Sequence, residues 1–91
     1  MKVGSYRVLE RIVRGFSNHR RIQIMALLSS NPELSVAELA EKLKINFKTA
    51  SQHITRLAIA GLVMKRSDGT SIRHKLTPRG EKALKYLDSV E

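Results

Sequence analysis

The chain has 91 residues, 42% of them apolar, and its 17 Lys and Arg outnumber 8 Asp and Glu for a formal charge of +9. That length suits one small domain with a single core, and the positive excess points to a polyanion as partner, either nucleic acid or an anionic membrane surface. The absence of cysteine excludes disulfides, thiolate metal sites and cysteine nucleophiles.

The N-terminal MKVGSYRVLERIVRGF is interrupted by an arginine every three or four residues, unlike a secretory h-region. The longest apolar run, Leu57 to Met64, is too short to span a bilayer. The chain is therefore read as soluble and cytoplasmic. A first helix is expected over about 5–15, with Val8, Leu9, Ile12, Val13 and Phe16 at helical spacing and Gly15 as its stop. A second runs from His19 to Ser29, capped by Asn18 or Ser17 and ended by Asn31-Pro32. Its apolar stripe, Ile22, Ile24, Met25, Leu27 and Leu28, is broad enough for the core.

Ser35-Val36-Ala37-Glu38 has the spacing of a capping box, and Val36, Leu39, Ala40 and Leu43 follow at i, i+3, i+4 and i+7. Lys44-Ile45-Asn46 makes a tight turn, and Asn46 caps a fourth helix. Past Gly61 the period changes to two. Leu62 to Arg66 is a strand, Ser67-Asp68-Gly69-Thr70 a turn, and Ser71 to Thr77 a returning strand with Ile72, His74 and Leu76 on its core face. Thr77-Pro78 opens a last helix as cap and first residue, with Ala83, Leu84, Leu87 and Val90 as its stripe. The expected fold is mainly α with a small β-hairpin, in the order α-α-α-α-β-β-α.

Chemistry concentrates in the fourth helix. Phe47, Ala50, Ile54, Leu57, Ala58 and Gly61 fall on one side of it, to pack on the capping-box helix. Lys48, Ser51, Gln52, Thr55 and Arg56 fall on the other, with Thr49 beside the free N–H groups of the first turn. These side-chain types match the donor and acceptor patterns of base edges in a major groove, which admits one α-helix. An ordinary solvated face has a similar composition, but a helix placed before it across a three-residue turn favours the DNA-reading arrangement. Lys65, Arg66, Arg73 and Lys75 crowd the hairpin, which suits contacts to the phosphate backbone or minor groove. Its alternative is a pair of charge-guarded edge strands.

Arg20 and Arg21 sit in a helix first turn, against the macrodipole, and fit either a phosphate or an internal salt bridge. His19, His53 and His74 fall on separate elements without ligand spacing, so no metal site is expected. His74 is read as a core residue, and His53 as a flank of the base-reading helix. No catalytic constellation or phosphate-cradling glycine loop is visible; neither an enzyme nor a cofactor is expected.

SVAELAEKLKINFKTASQHITRLAIAGLV resembles the helix-turn-helix of the ArsR-type winged-helix repressors, and the hairpin with LTPRG after it is also similar to MarR-type regulators. The resemblance covers about Asn18 to Gly80, and Arg21 in NHRRIQIM falls where ArsR-like proteins carry an arginine. It implies a homodimer on a palindromic operator, joined through the first and last helices, with recognition helices roughly 34 Å apart. Val8, Leu9, Ile12, Val13, Leu84 and Leu87 would then form the interface. Length and the lack of linkers or repeats give one domain over 1–91, and the resemblance divides it into a helix-turn-helix about 35–61, a wing about 62–77 and terminal helices about 5–15 and 78–90. The cysteines or His and Asp pairs of ArsR-like metal sensors are missing from this chain. Ile59 departs from the polar residues of many relatives and is expected near the outer face, against the wing or as an extra contact. The expected function is a sequence-specific double-stranded DNA-binding regulator, in the sense of a repressor, with no membrane partner and an open question of effector. Two alternatives remain at this point, a non-specific architectural DNA-binding protein and a winged-helix protein-interaction module.

Overall fold

The computed structural model describes all residues, Met1–Glu91. A short 3-10 turn, Val3–Ser5, leads into α1 (Tyr6–Phe16), α2 (His19–Ser30), α3 (Val36–Leu43), α4 (Phe47–Ile59), the antiparallel strands β1 (Val63–Asp68) and β2 (Ser71–Leu76), and α5 (Pro78–Val90). The order matches the expectation. No helix is long and apolar enough to cross a membrane.

Local chemistry starts each helix. The Asn18 side-chain oxygen accepts the N–H groups of Arg20 and Arg21 at 2.9 and 3.2 Å. At α3 the Ser35 hydroxyl accepts the Glu38 N–H while the Glu38 carboxylate accepts the Ser35 N–H, a complete capping box. The Asn46 side chain accepts the Thr49 N–H at 2.7 Å, and the Thr77 hydroxyl accepts the Gly80 N–H at 3.0 Å ahead of Pro78. Each cap satisfies donors that a helix end otherwise leaves bare, worth about 1 kcal/mol apiece.

The core joins Phe16, Ile24, Met25, Leu28, Leu34, Leu39, Ile54, Leu57, Ala60, Leu62, Val63 and Leu76. It therefore draws on four helices and both strands, with α3 packed on α4 at the helix-turn-helix. Lys44, in the left-handed region at φ 57°, turns the chain between those two helices.

Several boundaries differ from the sequence expectation. Gly15 does not stop α1, which runs on through Phe16; a Cβ at Gly15 would collide with that of Ala60, so the glycine lets α1 cross the end of α4. The fourth helix ends at Ile59, and Gly61 turns the chain out at φ 75°. The hairpin is longer and tighter than expected, reaching Asp68 and returning at Ser71 around Gly69 at φ 63°. Phe47, assigned to the inner side of α4, is 59% exposed because it starts the helix beyond the reach of the core, and Ile72 is 53% exposed near the hairpin tip. The sequence also held no sign of a single bridge beside the sheet: Leu34 pairs with His74 on the free edge of β2, with His74 N–H on Leu34 O and Glu33 N–H on His74 O.

That bridge explains His74. Its side chain is 1% exposed, and Nδ1 lies 2.9 Å from the Leu34 carbonyl oxygen, to which it donates as the neutral tautomer. Burial pushes its pKa below the ordinary 6.5, against the smaller opposing effect of the Leu34 hydrogen bond. A free histidine in the unfolded chain binds its proton at higher pH than this one, so stability is intact above about pH 6.5 and falls as the pH drops below it. Glu38, with its pKa below 4.5, contributes its loss only in more acid solution. The urea midpoint is expected to fall between pH 7.5 and 5.5, and to fall less in His74→Gln; equal pH dependence in both proteins would contradict this assignment.

Candidate nucleic-acid interface

The helix-turn-helix leaves the outer side of α4 free. Lys48, Gln52, Thr55 and Arg56 are exposed along it, and Ser51 and Thr49 are half-buried, while Ala50, Ile54 and Leu57 are buried beneath. This is the division expected of a helix that packs by one strip. The Thr55 hydroxyl donates to the Ser51 carbonyl at 2.9 Å. Its donor is thus engaged within the helix, leaving its methyl and acceptor lone pairs for an outside partner.

The wing flanks this helix. Ser51 and Thr55 of α4 share a cavity of about 420 Å³ with Val36 of α3 and with Lys65, Ile72 and His74 of the wing. Lys65, Arg66 and Lys75 are exposed. Arg66 and Arg73, however, are occupied inside the chain. Arg66 donates Nε and Nη2 to Glu33 Oε2 at 3.1 and 2.8 Å, an exposed pair that raises the pKa of Arg66. Arg73 stands directly across the ladder from Arg66. It donates Nη1 to Glu38 Oε1 at 2.8 Å, with Asp68 Oδ2 3.6 Å away, and reaches the Glu33 carbonyl at 3.4 Å. Two opposed arginines would repel; the three carboxylates offset that and join the wing to the capping box. The bonds from Ser35, and then Arg73, hold Glu38 below its usual range.

On the other side of α4, Arg21, Ser51, Gln52, His53, Thr55 and Arg56 line a trough of about 420 Å³. Of the two readings of Arg20 and Arg21, an internal salt bridge is absent for both. Arg20 donates to Gln23 Oε1 at 3.1 Å and Arg21 to the Arg14 carbonyl at 3.3 Å, and neither meets a carboxylate. Burial, followed by Arg21, His19 and Arg20, lowers the His53 pKa. Arg21 and Arg56 give the trough a positively charged lining. Ile59, 71% exposed, faces Arg11, Gly15 and Ala60; it lies toward α1 rather than on the wing.

Of the residues expected at a dimer interface, Val8, Leu9 and Val13 are exposed on α1, whereas Ile12, Leu84 and Leu87 lie half-buried against the core. Tyr86 and Val90 are exposed on α5; Tyr86 lies outside the stripe read from sequence, which stopped at its aliphatic residues.

Known proteins bear on this architecture. The bacterial regulatory protein, ArsR family, matches residues 18–65, more than half of the chain. The transcriptional activator HlyU of Vibrio cholerae is 34% identical over 73 residues, 80% of this chain and 67% of that protein. The HTH-type transcriptional regulator KmtR of Mycobacterium tuberculosis is 37% identical over 65 residues, 71% of this chain and 49% of KmtR, so the chain spans about half the length of that relative. Among solved structures, HlyU superposes with a TM-score of 0.83 at 28% identity, covering 99% of this chain and 97% of the other. A DNA-binding domain of Mb0332 from Mycobacterium bovis, described as a homodimeric winged helix-turn-helix, superposes with a TM-score of 0.84 at 29% identity, covering 98% and 82%. Motif, wing and relatives agree, and the chain belongs to the ArsR family of bacterial regulatory proteins.

Proposed function

We propose that this transcriptional regulator is one domain over residues 1–91 that binds a specific double-stranded DNA operator as a homodimer, by binding rather than by catalysis, in the cytoplasm. The carrying observation is the outer side of α4, where Lys48, Gln52, Thr55 and Arg56 are exposed above a buried strip. Thr49, Ser51 and these four side chains enter the major groove, and Arg66, Arg73 and Lys75 of the wing meet the backbone or minor groove. For Arg66 and Arg73, DNA contact means exchanging Glu33 and Glu38 for phosphate, a substitution of one anion for another. The exposed apolar residues of α1 and α5 support the homodimer reading, as does the homodimeric description of Mb0332. Repression by occupying a promoter is the sense of regulation we propose, although the relative HlyU is named an activator.

The test is fluorescence anisotropy with duplexes from upstream of the protein's own coding sequence and scrambled controls, at several salt concentrations. A preference of at least ~10³-fold for one sequence establishes specific regulation. Equal, steeply salt-dependent affinities would replace it with an architectural role, and no binding at low salt would favour a protein-interaction module. Gln52→Ala is expected to cost roughly 1–3 kcal/mol on the preferred site and to relax specificity at one base pair. Equal losses on preferred and random DNA would remove Gln52 from base reading. Arg73→Ala is expected to weaken binding to all sequences and flatten the salt slope by about one unit; an unchanged slope would leave Arg73 with the Glu38 and Asp68 pairing alone.

A further inference from the structure

Arg7, Arg11 and Arg14 recur at i, i+4 and i+7, which stacks them on one face of α1, opposite Leu9, Ile12, Val13 and Phe16. Arg11 and Arg14 line a cavity of about 510 Å³ together with Ser17, Arg21 and Arg56. Arg7 joins Arg11 and Arg14 around an adjoining depression, and Arg21 and Arg56 continue into the trough beside Gln52. The row therefore runs without a break from α1 to the base-reading face.

It is poorly neutralised from within. Glu10 is the one carboxylate along it, and its exposed pair with Arg14 is 3.7 Å long, a geometry that contributes little. Arg7, Arg11, Arg21 and Arg56 have no carboxylate partner. Arg21 spends one donor on the Arg14 carbonyl, and its buried Nε has no partner. Guanidinium groups held together without carboxylates repel one another unless an anion sits among them, and their forked donors match phosphate oxygens.

We infer that this row is a second DNA-backbone track, in which Arg7, Arg11, Arg14 and Arg21 take phosphates on the side of α4 away from the wing. The inference rests on the operator-binding reading above and extends its footprint. The row lies on the side of α1 away from its exposed Leu9 and Val13, so it stays open when a second copy covers those residues. Recognition helix, wing and track then grip separate stretches of the duplex. Phosphates carry no sequence information, so the track adds affinity and register while the outer side of α4 keeps the specificity.

The test uses the full chain with Arg11→Ala and Arg14→Ala combined, beside a double lysine variant and Arg7→Ala. Each phosphate that is no longer neutralised lowers the slope of log K against log[salt] by about 0.9. The double alanine variant is expected to lower the slope by about two units per protomer, Arg7→Ala by about one, and the double lysine variant by little. Affinities for preferred and scrambled duplexes should fall by the same factor. Hydroxyl-radical protection at backbone positions outside the recognition-helix and wing contacts should disappear while protection at the major grooves stays. Far-UV circular dichroism and sedimentation mass report whether fold and dimer survive, and Arg7, exposed on the helix surface, gives the slope measurement without touching the packing. A parent protein that binds its operator, with slope and footprint unchanged in all variants, overturns the track and leaves the operator reading standing. A parent that binds no duplex sinks both. Inorganic phosphate is the second source of the same chemistry: saturable shifts of the Arg14, Ser17 and Arg21 amides with phosphate alone, together with unchanged DNA slopes, would reassign the cavity to a small anion and overturn the track.

Discussion

Val13→Asp is expected to give a folded monomer whose operator affinity is at least ~10³-fold weaker than that of the parent, because losing one half-site leaves binding near the non-specific range. The substitution falls on the apolar side of α1, where Val13 is 50% exposed and contributes little to the core of its own chain. An isolated helix of 11 residues is marginal in water, and its exposed Val8, Leu9 and Val13 are best covered by a second copy. A carboxylate there would be buried unpaired on dimerisation, which costs several kcal/mol. Sedimentation equilibrium would read the mass and anisotropy the affinity. A Val13→Asp protein that stays dimeric with full affinity would remove α1 from the interface. A monomer with full affinity would remove dimerisation from the mechanism.

Gly80→Ala is expected to destabilise the domain by about 1–3 kcal/mol, although alanine is the better helix former by about 1 kcal/mol. Gly80 is buried at the start of α5, and a Cβ there would collide with the Leu62 carbonyl oxygen. That oxygen already accepts the Thr77 N–H at 3.0 Å, and Thr77 in turn donates to the Gly61 carbonyl. Backbone is on both sides of the contact, so neither can move aside as a side-chain tip would. The segment displaced is Gly61 to Val63, which connects α4 to β1, so the wing shifts relative to the recognition helix. Thermal or urea unfolding would show the loss, and operator affinity should fall beyond what the unfolded fraction accounts for. A variant as stable as the parent would mean that α5 can slide on the wing without cost.

Much of this protein was legible in its residue order, and the legible parts share a physical basis. Asn18, the Ser35–Glu38 box, Asn46 and Thr77-Pro78 announce helix starts because a cap acts on N–H groups two or three residues away. The two-sided division of α4 follows from helical period, and Asp68-Gly69 from turn chemistry, since Gly69 must take a positive φ. These interactions are settled within a few residues, so spacing alone determines them.

What only the tertiary structure decided depends on segments far apart in the chain. Arg66 and Arg73 read as free wing cations until Glu33 and Glu38 are brought beside them from 33 and 35 positions away. Gly15 looks like a stop until Ala60 lies across it, and the Leu34 bridge exists only because His74 passes next to it. The i, i+4, i+7 spacing of Arg7, Arg11 and Arg14 was present in the sequence all along. Its meaning came from α2 and α4, which place Arg21 and Arg56 in line with it. Helical period tells a residue which face of its own helix it occupies, but the partner of that face is set by how the helices pack around one core.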